Sequence, residues 1–168
     1  MGNTTDLRRE LKKRFYPLVA AHGFHIDKSA GPFGVDFRRM TADGIDVFDL
    51  QWDKYGRPRF VVNFGLCPAT GAYHFGEHVL PEKVLAYMGS ASGRLGPGKG
   101  AGNHSWFRQD RAFFRRVVLR QQPRPAAEVV DELLGVFPEL LAWFRDQRPG
   151  PHMVFANRHR QQRSAMPG

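Results

Sequence analysis

The sequence predicts an α+β fold, an antiparallel β-meander of three to five strands covered by an N-terminal and a C-terminal helix. Three observations carry this reading. Residues 5–22 and 125–147 repeat apolar side chains at the helical period. Three runs between residues 33 and 67 alternate apolar and polar with period two. Short turn sequences join those runs, and such short links serve antiparallel neighbours rather than parallel ones.

In the first helix, Leu7, Leu11, Phe15, Leu18 and His22 form one stripe, widened by Val19. Thr4 or Thr5 caps its start, and Asp6 suits the positive end of the helix dipole. Gly23 suits the left-handed position after the last turn. Pro17 removes one backbone hydrogen bond, which predicts a kink near Lys13. Arg8, Arg9, Lys12 and Lys13 fall largely off the stripe and read as a solvated face.

Strands follow over 33–40, 45–53 and 59–67. Phe33, Val35 and Phe37 alternate with Gly34, Asp36 and Arg38; Phe48, Leu50 and Trp52 with Asp49, Gln51 and Asp53; Phe60, Val62, Phe64 and Leu66 with Val61, Asn63, Gly65 and Cys67. Ala42-Asp43-Gly44 and Lys54-Tyr55-Gly56-Arg57-Pro58 are the turns between them. Residues 69–78 read as a loop, and 81–88 as a short helix opened by Pro81. A glycine-rich mobile loop is expected near 89–105, and a further strand begins at Ser105-Trp106-Phe107-Arg108. Residues 111–121 are ambiguous: Phe113, Phe114, Val117 and Val118 favour helical spacing, and the β-branched content allows a strand. In the last helix Val129, Leu133, Phe137, Leu140 and Phe144 form the stripe, with Pro125 in the first turn. Pro138 predicts a kink or a split into two helices. The reading is one domain over 1–148, followed by a basic, disordered tail over 149–168.

The 168 residues suffice for one domain with a sizeable core. One cysteine, Cys67, excludes an intramolecular disulfide framework and multi-cysteine metal sites. No run of 18 apolar residues occurs, and the start M-G-N-T-T-D carries no apolar leader, so a cytoplasmic protein without a membrane partner is expected. The formal charge is +9, concentrated as +5 over 71–123 and +3 over 149–168. Weak polyanion binding follows from such a surface.

Several of these segments carry short motifs. Gly23-Phe24 follows the first helix, and Phe37-Arg38, Leu50-Gln51 and Asn63-Phe64-Gly65 lie on the three strands. Arg94-Leu95 and Ser105-Trp106-Phe107 come later. In this order they resemble the uncharacterised domain-of-unknown-function family 4304, closely over residues 5–67 and loosely beyond. Phe107 stands where the family usually has a second tryptophan, and the intervening glycine run departs from its pattern. The resemblance implies a fold and no reaction, because the family has no assigned activity.

Enzymatic motifs fail on residues or context. Gly93 to Gly100 matches a phosphate-binding loop up to Lys99, but Gly100 replaces the hydroxyl that holds magnesium. His74, Glu77 and His78 form H-x-x-E-H, a zinc-hydrolase pattern that requires a helix, whereas Gly71, Gly76 and Pro81 surround it. Asp46, Asp49 and Asp53 read as solvent-facing, with Asp46 on the opposite pleat face. No cofactor and no bound metal are expected.

The reading is therefore a non-catalytic binding or interaction domain with a protein partner, its candidate contact residues being Asp36, Arg38, Asp49, Gln51 and Asn63 on the strands. The alternative is a nucleic-acid-binding protein using segment 94–120 and the tail. There aromatics interleave with arginines: Arg94, Trp106, Arg108, Arg111, Arg115 and Arg116. A zinc hydrolase at His74 and His78 is the distant third.

Overall fold

The computed structural model describes residues 4–27, 34–99, 106–110 and 122–156. Helix α1 (Thr4–Glu10) runs through a π-helical stretch (Leu11–Phe15) into α2 (Tyr16–Ala21). The π-turn is the consequence of Pro17. Its ring has no N–H to offer and crowds the carbonyl four residues back, so the preceding turn widens. The Tyr16 N–H then bonds to the Leu11 carbonyl, five residues back. The predicted kink is thus a local widening at the expected place.

Strands β1 (His25–Asp27), β2 (Gly34–Met40), β3 (Ile45–Trp52) and β4 (Arg59–Cys67) form an antiparallel meander. The hairpin β5 (Ala72–His74) and β6 (Glu77–Val79) follows, then 3-10 turns at Pro81–Lys83 and Ala86–Met88. Strands β7 (Ala91–Leu95) and β8 (Phe107–Arg108) both pair with β4. Helix α3 (Ala126–Asp146) precedes β9 (Met153–Phe155), which pairs with β7. The main sheet has the order β1-β2-β3-β4-β7-β9, with β8 beside the start of β4.

Four expectations are corrected. Residues 69–78 are not a loop but hold most of a hairpin, closed by Phe75 and Gly76 at φ 50° and 83°. Residues 81–88 make two 3-10 turns rather than a helix, because Val84 and Leu85 between them are extended. The glycine-rich region includes β7: Gly93 is packed between β4 and β9, where an added Cβ would lie 2.5 Å from the Val154 carbonyl oxygen. Residues 149–156 are likewise no disordered tail, since Met153–Phe155 extend the sheet. Pro138 sits inside one unbroken helix. Residues 100–105, 111–121 and 157–168 lie outside the described residues, and so do Arg111, Arg115 and Arg116.

Both helices cover the same side of the sheet. Leu7, Leu11, Phe15 and Val19 meet Leu133, Phe137, Leu140 and Phe144 over Phe37, Phe48, Leu50, Phe60, Val62 and Phe64. Phe137 is fully buried, with its ring 4.9 Å from Phe15 and 5.6 Å from Phe48. The opposite face of the sheet is half covered. There Ile45, Val47 and Cys67 pack under Ala72, Val84 and Ala86, the hairpin and the 3-10 segment. Burial pushes the Cys67 thiol up to about 11, as expected of a structural cysteine.

Candidate functional site

The uncovered half of that second face carries the candidate site. Strand register sets Asp27, Asp36, Asp49, Asn63, Arg94 and Val154 side by side across six strands. Side chains in one such row share a face, and neighbours contact directly. The row lines a concavity of about 910 Å³, with Arg38, Gln51 and Ser92 beside it and Lys83, Leu85 and Tyr87 as one wall. All five strand residues singled out from sequence, Asp36, Arg38, Asp49, Gln51 and Asn63, line it. Asp27, Ser92, Lys83 and Tyr87 were not foreseen. Arg94 belonged to the nucleic-acid reading, and the alternation within Ala91–Leu95 would have placed it beside Ser92 on this face.

Arg38 joins floor to wall. Its Nε donates to the Val84 carbonyl at 2.7 Å, and its Nη1 donates to Asp27 at 2.6 Å. It comes no closer than 3.6 Å to Asp36. Gly65 allows the wall to sit this close, since a Cβ there would lie 1.9 Å from the Ala86 carbonyl oxygen. Asn63 relays between the acidic and basic ends of the row. Its Nδ2 donates to Asp49 at 2.8 Å and to Gln51 at 3.0 Å, while its Oδ1 accepts from Arg94 Nε at 3.1 Å.

Burial raises the proton affinity of a carboxylate, and a neighbouring carboxylate adds to this. Asp36 is raised, chiefly by desolvation and further by Asp27, with Arg38 opposing. Asp49 is pushed up to about 7, again chiefly by desolvation, with Asp36 adding and Asn63 and Arg94 opposing. Desolvation lowers Arg94, against the attraction of Asp49.

The expectation that Asp46, Asp49 and Asp53 face solvent is corrected. Asp46 is buried on the helix side and held by Arg39 Nη2 at 2.6 Å. Asp53 clasps the turn after β3, accepting from Arg59, Arg57 and the Tyr55 N–H. Asp46 and Asp49 lie on β3 and Asp53 directly follows it, within the sheet interior where a polar group persists only with partners.

The H-x-x-E-H segment does not converge. In the hairpin His74 pairs with Glu77 and Tyr73 with His78, so the two histidines point to opposite faces. His78 Nε2 lies 2.8 Å from the Thr70 carbonyl oxygen, and the His74 ring packs on Phe75 and Tyr87. Among the described residues no group of three His, Cys, Asp or Glu side chains is arranged to hold a metal ion. The candidate nucleic-acid residues are separately engaged: Arg59 lies over the Trp106 ring at 4.5 Å, and Arg108 pairs with Asp110 at 2.8 Å. Among the described residues no helix is long and apolar enough to cross a membrane.

No curated protein and no solved structure matches the chain. A family model does match, over residues 9–121, more than half of the 168 residues. The match takes in the helix, the meander and the strand that carries Arg94, and the chain therefore belongs to the domain-of-unknown-function family 4304 (DUF4304).

Proposed function

We propose that the protein is a non-catalytic binding module that takes a segment of a partner protein into the polar concavity of the sheet. The observation behind this reading is the convergence of Asp36, Arg38, Asp49, Gln51 and Asn63 on one concavity of about 910 Å³. That size is ample for a peptide side chain with its flanking backbone. The lining groups are held in place before any ligand arrives. Asn63 makes three hydrogen bonds, and Arg38 is fixed at both ends. Preorganised polar groups give orientation and specificity at little entropic cost.

Catalysis fits less well. The one hydroxyl of a serine in the lining, that of Ser92, has no base bonded to it among the described residues, and no histidine lines the concavity. A library of short peptides presented to the whole protein tests the reading. The wild-type chain should select a consensus sequence, and Asn63→Ala should lose it while retaining its circular dichroism and cooperative unfolding. Selection that is unchanged in Asn63→Ala, or a turnover activity abolished by one substitution in a folded protein, would overturn it.

A further inference from the structure

At the centre of the row, Asp36 and Asp49 accept no hydrogen bond from an arginine among the described residues. Asp36 and Asp49 are cross-strand neighbours. Arg38 spends Nε on a backbone carbonyl and Nη1 on Asp27, leaving Asp36 an ion pair at 3.6 Å and no hydrogen bond. Asp49 receives the neutral amide of Asn63 through one oxygen. Buried carboxylates ordinarily gain charge-assisted bonds, and here the strongest donors nearby are turned elsewhere.

A second observation lies two strands away. Ser92 is 8% exposed and lines the same concavity; its carbonyl accepts from the Ala156 N–H at 3.0 Å, while its hydroxyl bonds to no described residue. A hydroxyl that faces the concavity without a protein partner offers both a donor and an acceptor to whatever enters. On the wall Tyr87 is 58% exposed, its ring 5.3 Å from His74, and it offers an aromatic surface at the mouth.

We propose that the concavity takes an arginine side chain of a peptide, its guanidinium bridging Asp36 and Asp49 and its backbone reaching Ser92. A planar fork of five donors can serve two adjacent carboxylates at once, and it stacks on aromatic rings as an ammonium does not. Strands are spaced by about 5 Å, so Ser92 stands within reach of the polar groups beyond the side chain. This inference rests on the binding reading above and names its ligand.

Binding requires Asp49 in its ionised form. The charged and titratable groups around it are Asp27 on β1, Asp36 and Arg38 on β2, Arg94 on β7, and Lys83 and Tyr87 on the wall. Asp49 ionises near 7, so affinity should rise with pH through that region.

The test uses N-acetyl-arginine methylamide as probe against the whole protein, followed by chemical-shift titration at low salt. Its neutral isostere, the citrulline analogue, and its lysine analogue are the controls. The arginine probe should bind at least 10-fold tighter than citrulline and several-fold tighter than lysine at pH 8. Asp49→Asn should reduce arginine binding about 10-fold, and Ser92→Ala a few-fold, both with unfolding curves that show a folded protein. Equal binding of arginine and citrulline, or wild-type affinity in Asp49→Asn, overturns the inference. If both probes bind equally and Asn63→Ala abolishes both, the concavity remains a binding site and only the guanidinium assignment fails. If no probe perturbs the concavity and the peptide library yields no Asn63-dependent sequence, both readings fail.

Discussion

Replacing Asp49 by Asn should stabilise the protein, and by an amount that depends on pH. The unfolded carboxyl ionises near the ordinary 3.8, whereas in the folded protein it ionises near 7. Below pH 4 the proton is bound in both states and this group costs nothing. As pH rises towards 7 the unfolded chain releases its proton while the folded chain retains it, so stability falls; above 7 the loss is complete. About three pH units at 1.36 kcal/mol each set a ceiling of about 4 kcal/mol. Contact of the concavity with solvent brings the expected gain to about 2–3 kcal/mol at pH 8. The amide retains a carbonyl to accept from Asn63 and removes one charge from beside Asp36. Urea unfolding of both proteins at pH 5, 6, 7 and 8 provides the assay, because the difference between them cancels the titration of groups they share. The advantage of the variant should grow from pH 5 to pH 7 and level off by pH 8. A difference that stays flat from pH 5 to 8, or a variant less stable at pH 8, would refute the account of the acidic row.

Gly65→Ala drives a Cβ into the Ala86 backbone, 1.9 Å from its carbonyl oxygen, so it should displace the wall and destabilise by about 3 kcal/mol in thermal or urea unfolding. Phe137→Ala empties the centre of the core, where the ring meets Phe15 and Phe48, and should cost about 3–5 kcal/mol by the same measurement. The +9 charge predicts weak, sequence-independent binding to polyanions that declines steeply with salt; removing residues 157–168, with Arg158, Arg160 and Arg163, should lower both the affinity and the salt slope in a heparin or single-stranded DNA titration.

Long elements with unbroken periodicity could be read directly from sequence. Phe48, Leu50 and Trp52, or Leu133, Phe137 and Leu140, repeat often enough that only one secondary structure puts them on one face. Short elements could not. β7 reads A-S-G-R-L, in which glycine and serine obscure an alternation that packing on β4 makes real. The β5–β6 turn places Phe75 at φ 50°, a position where asparagine or glycine would have signalled a hairpin. The site was half legible for the same reason. A polar residue on a predicted strand is visible one strand at a time, and Asp36, Asp49 and Asn63 were found that way. That they stand beside Asp27 and Arg94 follows from register across five strands, and register is set by side-chain packing and turn geometry at a distance.

The two faces of the sheet are built on opposite terms, and Arg38 shows how they are reconciled. On the helix side, aromatic burial supplies the stability, with Phe37 stacked on Phe48 at 4.6 Å and Phe15 edge-on to both. On the other side, a row of three carboxylates would repel itself if desolvated without compensation. Arg38 answers two needs at once. It neutralises Asp27, and through the Val84 carbonyl it draws the 3-10 segment over the sheet. That segment brings Leu85 and Tyr87 to the edge of the floor, on the same face where desolvation raises Asp49. The residue that pairs with the carboxylate at one end of the row therefore also holds the wall beside the floor. The aromatic burial of the helix side offsets that electrostatic cost, so the polar face persists on stability supplied from the other side of the same strands.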